Sequence, residues 1–319
     1  MSSKYKIIDL FAGTGAFSHS FLNRNSEKYE VVFANDFDIN SEKIYKLNHS
    51  EINFKSDNLN TIKLEDIPDH NILCGGFPCQ PFSIAGEKKG FKDDRSNVFW
   101  KICEIISEKR PEIVILENVK NLKSHDKGNT FKIIEKNIKD LGYFIKYSIL
   151  DTSKITEIPQ HRERIYIICF KDIEKFNKFN FDFKIEKNKP IKDFLEEKVE
   201  DKYYYTDKLK VYKEIKENVK KNINENILYQ YRRYYIRENK SNCCPTLTAN
   251  MGLGGHNVPI LLDEKGIRKL TPRECFNLQG FSKDYKLPNI SDSALYKLAG
   301  NAVTLSIINL IVDRIDILI

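Results

Sequence analysis

Long apolar runs are missing from this 319-residue chain. The longest, at 165–170, falls far short of the roughly 18 residues that a membrane-spanning helix needs, so no span is expected. The opening residues carry Lys4 and Lys6, but Asp9 interrupts the apolar stretch and no small-residue cleavage site follows, so no signal peptide is expected either. A disulfide framework is also lacking: the seven cysteines are odd in number and scattered, which fits free thiols in a reducing cytoplasm. Six dispersed histidines and the adjacent Cys243 and Cys244 make no zinc pattern, so no metal is expected. Charge of one sign is in only mild excess, 52 Lys and Arg against 45 Asp and Glu, and the resulting +7 permits a polyanionic partner without requiring one. Glycine and proline are scarce, 14 and 10, while 41% hydrophobic residues suffice for a core, which excludes disordered and fibrous classes. Single cores rarely grow past about 250 to 300 residues, so two domains are expected.

What is present in the first half is an alternation of short apolar runs with helical patterns, the mark of an α/β doubly wound sheet. Strands are expected at 6–11, 29–34, 72–74, 112–116, 143–150 and 165–170, and helices at 16–23, 39–49, 98–107 and 130–141. Near Lys171 the texture changes to Lys, Asn, Glu, Phe and Tyr with weak periodicity, and a boundary is placed close to Lys189. An aromatic and basic stretch follows at 227–262, with Met251, Gly252, Gly254 and Gly255 expected as a loop between strands. Thr271, Pro272 and Glu274 spell a helix start with a capping box. The segment 306–319 has the pattern of an amphipathic helix packing back on the first lobe. The expected division is 1–188, a smaller domain at 189–270, a hinge at 271–298 and a returning helix at 299–319.

Chemistry begins at the first strand end, where Phe11, Gly13 and Gly15 form a turn that opens a helix. Glycines there let the backbone approach a ligand, and the helix start offers free N–H groups. Ser18 stands where a dinucleotide fingerprint would have its third glycine, so a nucleoside site and a plain tight turn both remain open. Asp36 and Phe37 end the second strand, at the distance where an acid meets ribose hydroxyls and a ring can stack on adenine. Gly75 to Ser83 follow a buried strand, with Pro78, Cys79 and Gln80 at its carboxyl end. An ordinary thiol, with a pKa near ~8.5, is only a few per cent ionised at neutral pH, and Cys79 fits either a nucleophile or a small buried hydrophobe. Glu117 ends the next strand as an acid or as a cap. Arg162 and Arg164 alternate into a strand, where they grip a ligand or form a solvated edge.

In this order and spacing the motifs DLFAGTG, GGFPCQPFS, ENVKNL, QHRERIYI, RKLTPRECFNLQGF and AGNAV resemble those of bacterial DNA cytosine-5 methyltransferases of type II restriction-modification systems, along nearly the whole chain. The resemblance implies the mixed α/β sheet of S-adenosylmethionine-dependent methyltransferases with a smaller target-recognition domain. It implies Cys79 as nucleophile toward a flipped-out cytosine, Glu117 at ring nitrogen 3, Arg164 at the cytosine carbonyl, and Arg162 holding the active-site loop or a phosphate. S-adenosyl-L-methionine would be held by Phe11, Gly13, Gly15, Asp36, Phe37, Asp57 and Asn301, with Pro78 and Val98 lining the pocket. Double-stranded DNA would meet Gln80, Lys88, Lys89 and Arg95 on a lid at 80–97, Arg232, Arg233 and Arg237, the pair Thr246 and Leu247, and Gly254 and Gly255. Where the family often has Ser, this chain has Ala85. The implied protein is a cytoplasmic monomer paired with a restriction endonuclease.

Rival readings fit less of the chain. A zinc nucleobase deaminase fails because Phe82 occupies the second Cys position of its PCxxC half. A nicotinamide oxidoreductase leaves PCQ, ENV and RER unused, and a non-catalytic DNA-binding relative would have no need of Cys79, Glu117 and Arg164 together. The nearest competitor is a relative that methylates transfer RNA cytosine.

Overall fold

Apolar runs without alternation are buried on both faces, and in this chain they assemble a sheet covered by helices. The computed structural model describes residues 4–78, 98–209, 212–232, 235–253 and 257–319. Of the expected site residues, Cys79, Gln80, Lys88, Lys89, Arg95, Arg233, Gly254 and Gly255 lie outside these, as does the expected lid.

The chain divides into two compact units. The first takes the chain up to Leu150, then Glu163–Phe183 and Ile308–Ile319. Its sheet contains β1 (Tyr5–Leu10), β2 (Tyr29–Asn35), β3 (Phe54–Lys55), β4 (Ile72–Gly76), β5 (Ile113–Val119), β6 (Phe144–Asp151) and β7 (Glu163–Phe170), in the order β3-β2-β1-β4-β5-β7-β6. The pairs β2–β3, β1–β2, β1–β4 and β4–β5 are parallel, while β7 runs antiparallel to β5, so the sheet is mixed as expected. Helices α1 (Ala16–Asn25), α2 (Ile39–Asn48), α3 (Val98–Lys109) and α4 (Asn129–Asp140) follow the expected positions to within about two residues. From α3, Phe99, Ile102, Cys103, Ile105 and Ile106 are fully buried in a core shared with Leu73, Val114 and Leu116 of the strands. The short β3 escaped the sequence reading because two residues make no pattern.

The second unit takes Asp151–Arg162 and Lys184–Ile307. Its sheet has β8 (Tyr229–Arg232), β9 (Tyr235–Glu238), β10 (Ile260–Leu262) and β11 (Ile267–Lys269) in the order β11-β10-β8-β9. Ile215, Val219, Tyr229, Ile260 and Ile267 make a small core behind it. Short helices α5 (Thr152–Ile155), α6 (Ile173–Lys178, which belongs to the first unit) and α7 (Tyr212–Asn218) precede α8 (Pro272–Asn277), which starts with the expected capping box between Thr271 and Glu274. α9 (Asp292–Asn301) and α10 (Leu305–Asp316) close the chain.

These divisions differ from the expected boundaries at 188, 270 and 298. The segment 151–162 joins the second unit because its polar groups are satisfied there, with Lys189 N donating to Glu157 O at 2.8 Å and Asn188 Nδ2 to Thr156 O at 2.9 Å. The expected hinge at 271–298 lies wholly within the second unit, and only the chain from Ile308 onward returns to the first. Met251, expected in a loop between strands, is buried in the short turn Ala249–Gly252 between β9 and β10. By length and composition alone the stretch Asp292–Asp316 could cross a membrane. It is instead two helices whose Leu298, Ile307, Ile308, Ile311, Val312 and Ile315 are core residues.

Candidate functional site

In the first unit the strand order reverses between β1 and β4, and such a switch point opens a crevice beyond the strand carboxyl ends. β1 delivers the glycine turn to it. Phe11, Gly13 and Gly15 all adopt left-handed conformations, with φ of 54°, 52° and 70°. A Cβ on Gly15 would stand 3.0 Å from the Tyr45 ring and 3.2 Å from His49, so a side chain here would be both crowded and strained by the positive φ. β2 delivers Asp36, whose Oδ2 accepts from Gly13 N and whose Oδ1 accepts from Asp38 N, both at 2.9 Å. Burial raises the Asp36 carboxyl above its ordinary value, opposed by those two N–H bonds. Carboxylate oxygens have further lone pairs, so Asp36 can still accept from ligand hydroxyls. Next to it Phe37 is 73% exposed, an aromatic face left open at the strand end. Asp57 is exposed, and its carbonyl accepts from Asn35 Nδ2 at 2.8 Å.

Beneath the turn lies a group that the sequence reading passed over. Asp9 is fully buried, its Oδ2 accepting from Ser18 N at 3.1 Å and Ser18 Oγ at 2.7 Å, while Ser18 Oγ also meets Tyr45 Oη at 2.6 Å. Ser18, singled out as the missing third glycine, therefore uses its hydroxyl to hold the first turn of α1 to β1. Burial pushes the Asp9 carboxyl up to about 7, although the Ser18 bonds pull the other way.

The chain leaves β4 at Gly76 and reaches exposed Pro78. Asn118, next to Glu117, donates from Nδ2 to Phe77 O at 2.8 Å, tying the ends of β4 and β5 together. Val98 opens α3 and is 8% exposed. Glu117 and Arg164 sit on the antiparallel pair β5–β7, where Glu117 faces Tyr166 and Arg164 faces Val119. That offset makes them diagonal neighbours, and Arg164 Nε lies 3.2 Å from Glu117 Oε1. Both side chains are largely buried, with 14% and 10% exposure. The structure thus brings two of the expected catalytic residues into direct contact.

Arg162 belongs to the second unit and is 2% exposed. Its Nη1 donates to Leu247 O at 2.7 Å, and its Nη2 to Gly300 O at 3.2 Å and Ala302 O at 2.7 Å. These carbonyls occupy both of its Nη nitrogens. Leu247, expected at the DNA, has a fully buried side chain. Thr246 is half-buried and donates to His161 O at 2.5 Å. Asn301 is exposed between buried Gly300 and Ala302. Arg232, Arg237, Gln230, Asn250, His161 and Thr246 help line a polar cavity of about 380 Å³ in this unit. β8 and β9 set this up by alternation: Tyr229, Tyr231 and Ile236 face the small core, which leaves Gln230, Arg232 and Arg237 on the other face. Gln160 and Gln279, both fully buried, were not singled out; their signal was a side-chain amide inside an otherwise recognisable motif.

Residues 5–316 match the family described as C-5 cytosine-specific DNA methylase. The chain is 45% identical over 318 residues to the Type II methyltransferase M.Bsp6I of Bacillus sp. (strain RFL6), covering 97% of this chain and 98% of that one. It is 35% identical over 321 residues to the Type II methyltransferase M.HhaI of Haemophilus parahaemolyticus, covering 97% and 94%. Among solved structures it resembles the Dnmt2 methyltransferase of S. pombe with a TM-score of 0.72 at 21% identity, covering 97% of each chain, a likeness of fold. With its site residues in motif order and the match running through both units, this chain belongs to the C-5 cytosine-specific DNA methylase family and is a DNA cytosine-5 methyltransferase.

Proposed function

We propose that this chain transfers a methyl group from S-adenosyl-L-methionine to carbon 5 of a flipped-out cytosine in a short specific duplex DNA sequence, through a covalent Cys79 adduct. The paired Glu117 and Arg164 carry this reading, because they offer an acid and a fixed guanidinium side by side at the end of β5. Support for the cofactor comes from the left-handed glycine turn, the Asp36 carboxylate and the exposed Phe37 ring, which suit the amino-acid end, ribose and adenine of a nucleoside. Phe11, Gly13, Gly15, Asp36, Phe37, Asp57 and Asn301 would hold it, with Pro78 and Val98 at its edge. When bound, it supplies an electrophilic methyl group on a sulfonium.

Cytosine carbon 5 is a poor nucleophile on its own. Addition of the Cys79 thiolate to carbon 6 converts the ring to an enamine, and carbon 5 gains electron density. Glu117 holds or delivers the proton at ring nitrogen 3 as charge builds there. Arg164 donates to the cytosine carbonyl oxygen and holds Glu117 in place. Once carbon 5 carries the methyl group in place of the enamine double bond, loss of its proton to water or hydroxide expels the Cys79 thiolate and restores the ring. Extracting the base from the stack costs a few kcal/mol, which phosphate contacts from Lys88, Lys89 and Arg95 would help offset. Arg232, Arg233 and Arg237, with Gln80, Thr246, Gly254 and Gly255, complete the proposed DNA surface. The protein would act as a monomer and as the modification partner of a restriction endonuclease.

Methylation sequencing of a plasmid carrying this gene is the direct test. The expected result is 5-methylcytosine at one short motif, abolished by Cys79→Ser. Side-by-side assays on duplex DNA and transfer RNA separate this reading from its nearest rival; transfer to RNA alone overturns it.

A further inference from the structure

The β4–β5 ladder ends where Gly76 pairs with Glu117, and a side chain carries it one step further. Asn118, 2% exposed, donates from Nδ2 to Phe77 O at 2.8 Å, while its Oδ1 accepts from Val119 N at 2.8 Å. These two bonds fix the orientation of the amide, since turning it over would set its oxygen against the Phe77 carbonyl and its nitrogen against the Val119 N–H. Phe77 is held from its other end as well: its ring is buried in the core of the first unit, with its centroid 6.0 Å from that of Phe99 on α3. On the β5 side, Asn118 follows Glu117, whose carboxyl meets Arg164 of the neighbouring strand. On the β4 side, Cys79 follows Phe77 by two residues, a length of chain that spans at most about 7 Å. One buried amide therefore joins the strand that carries the proposed acid to the point from which the chain departs toward the proposed nucleophile.

We infer that Asn118 is a positioning residue for the nucleophile: by holding the Phe77 carbonyl it sets where the chain toward Cys79 starts relative to Glu117. Thiolate addition to carbon 6 and proton placement at ring nitrogen 3 then act on one cytosine together. The inference rests on the proposed roles of Cys79 and Glu117. Without the Asn118 donor, a buried carbonyl loses its partner, and the end of β4 must shift to regain one. A misplacement of about 1 Å at a reacting group costs on the order of 100-fold in rate. The residues proposed to hold cofactor and duplex include neither Asn118 nor Phe77, so the loss falls on the covalent step rather than on affinity.

The test uses a duplex carrying the mapped methylation motif with 5-fluorocytosine at the target, together with S-adenosyl-L-methionine. Fluorine stands where the departing proton should be, so the methylated Cys79 adduct cannot resolve, and its rate of formation is read on a denaturing gel. Asn118→Leu, close in volume but without a donor, is expected to form the adduct about 100-fold more slowly than wild type, with affinities for unmodified duplex and for S-adenosyl-L-homocysteine within about threefold. Asn118→Asp keeps the acceptor for Val119 N but, when ionised, sets an anionic oxygen against the Phe77 carbonyl; when protonated, it donates as the amide does. Its adduct rate relative to wild type should therefore be lowest at high pH and recover as pH falls, a pattern that Asn118→Leu, with no proton to gain, does not share. Asn118→Asp also keeps the test open where Asn118→Leu fails to fold. Adduct rates within about fivefold of wild type in the folded variants at every pH overturn the inference, as do losses that fall equally on both affinities. The underlying roles are checked separately: wild type must form the adduct, Cys79→Ser must not, and Glu117→Gln must slow it. If those results are missing, the proposed nucleophile and acid have failed rather than the role of Asn118.

Discussion

Arg164 Nε and Glu117 Oε1 stand 3.2 Å apart across the diagonal of an antiparallel strand pair, both side chains mostly out of water. The contact orients the acid and also links the two groups energetically, because removing one partner leaves the other's charge partly buried.

Arg164→Met should therefore destabilise the protein by up to about 3 kcal/mol, while the double change with Glu117→Gln recovers most of that loss. Denaturant unfolding of the four members of the cycle measures it, and additive effects would rule out a coupled pair. In activity the two should not compensate. Glu117→Gln alone is expected to lower kcat by about 100- to 10,000-fold, the usual contribution of a positioned acid, and to lower the melting temperature as well because it strands Arg164.

Asp9 gives a pH dependence of unusual sign. Its folded carboxyl sits at about 7, raised by burial from its ordinary value of 3.8, so the native state holds a proton that the unfolded chain releases. The contribution of Asp9 is fully present below about pH 4 and is lost as pH rises through 7. Asp9→Asn cannot ionise, and its stability profile should be flatter between pH 4 and 7 than that of wild type. Identical slopes would show that Asp9 does not titrate in this window.

Asp316 acts in the opposite sense. Burial raises its carboxyl, but bonds from Lys28, Tyr29 and Arg24 outweigh that and bring it down to about 2. Lys28 Nζ lies 2.8 Å away, Arg24 Nε 2.9 Å and Tyr29 Oη 2.7 Å, so one carboxylate joins the end of α10 to α1 and β2. This stabilisation is present above about pH 4 and is lost as pH falls toward 2. Asp316→Asn should lower the melting temperature at pH 7 and make progressively less difference as pH falls toward 2.

Salt should separate the DNA contacts from the cofactor contacts. Arg232→Ala and Arg237→Ala are each expected to reduce the slope of log affinity against log salt by about one, if each meets a phosphate. S-adenosyl-L-homocysteine affinity should hardly respond to salt or to either change. An arginine that reads a base edge will instead relax the methylated motif at one position, which methylation sequencing of the variant detects.

Much of this protein was readable as a string. The alternation of apolar runs with helical stretches determined the order of strands and helices, because burial on both faces needs unbroken apolar segments of strand length. The glycine turn, ENV, RER and the capping box at Thr271 were legible because each acts through residues close together in sequence, where backbone geometry sets their relation. Only the tertiary structure decided what satisfies the buried polar groups. Arg162 finds its carbonyl partners 85, 138 and 140 residues away, and no local pattern encodes such a distance. Gln160 and Gln279 look ordinary along the chain; their meaning appears when distant segments meet and each buried donor must find an acceptor. Asp9 likewise reads as a polar interruption of a strand, and folding turned it into a buried acid held by Ser18. The sequence by itself determined which chemistry the chain carries, since reactive groups are recognisable by type and spacing. The tertiary structure decided how rigidly those groups are held, since that depends on contacts between segments far apart in the chain.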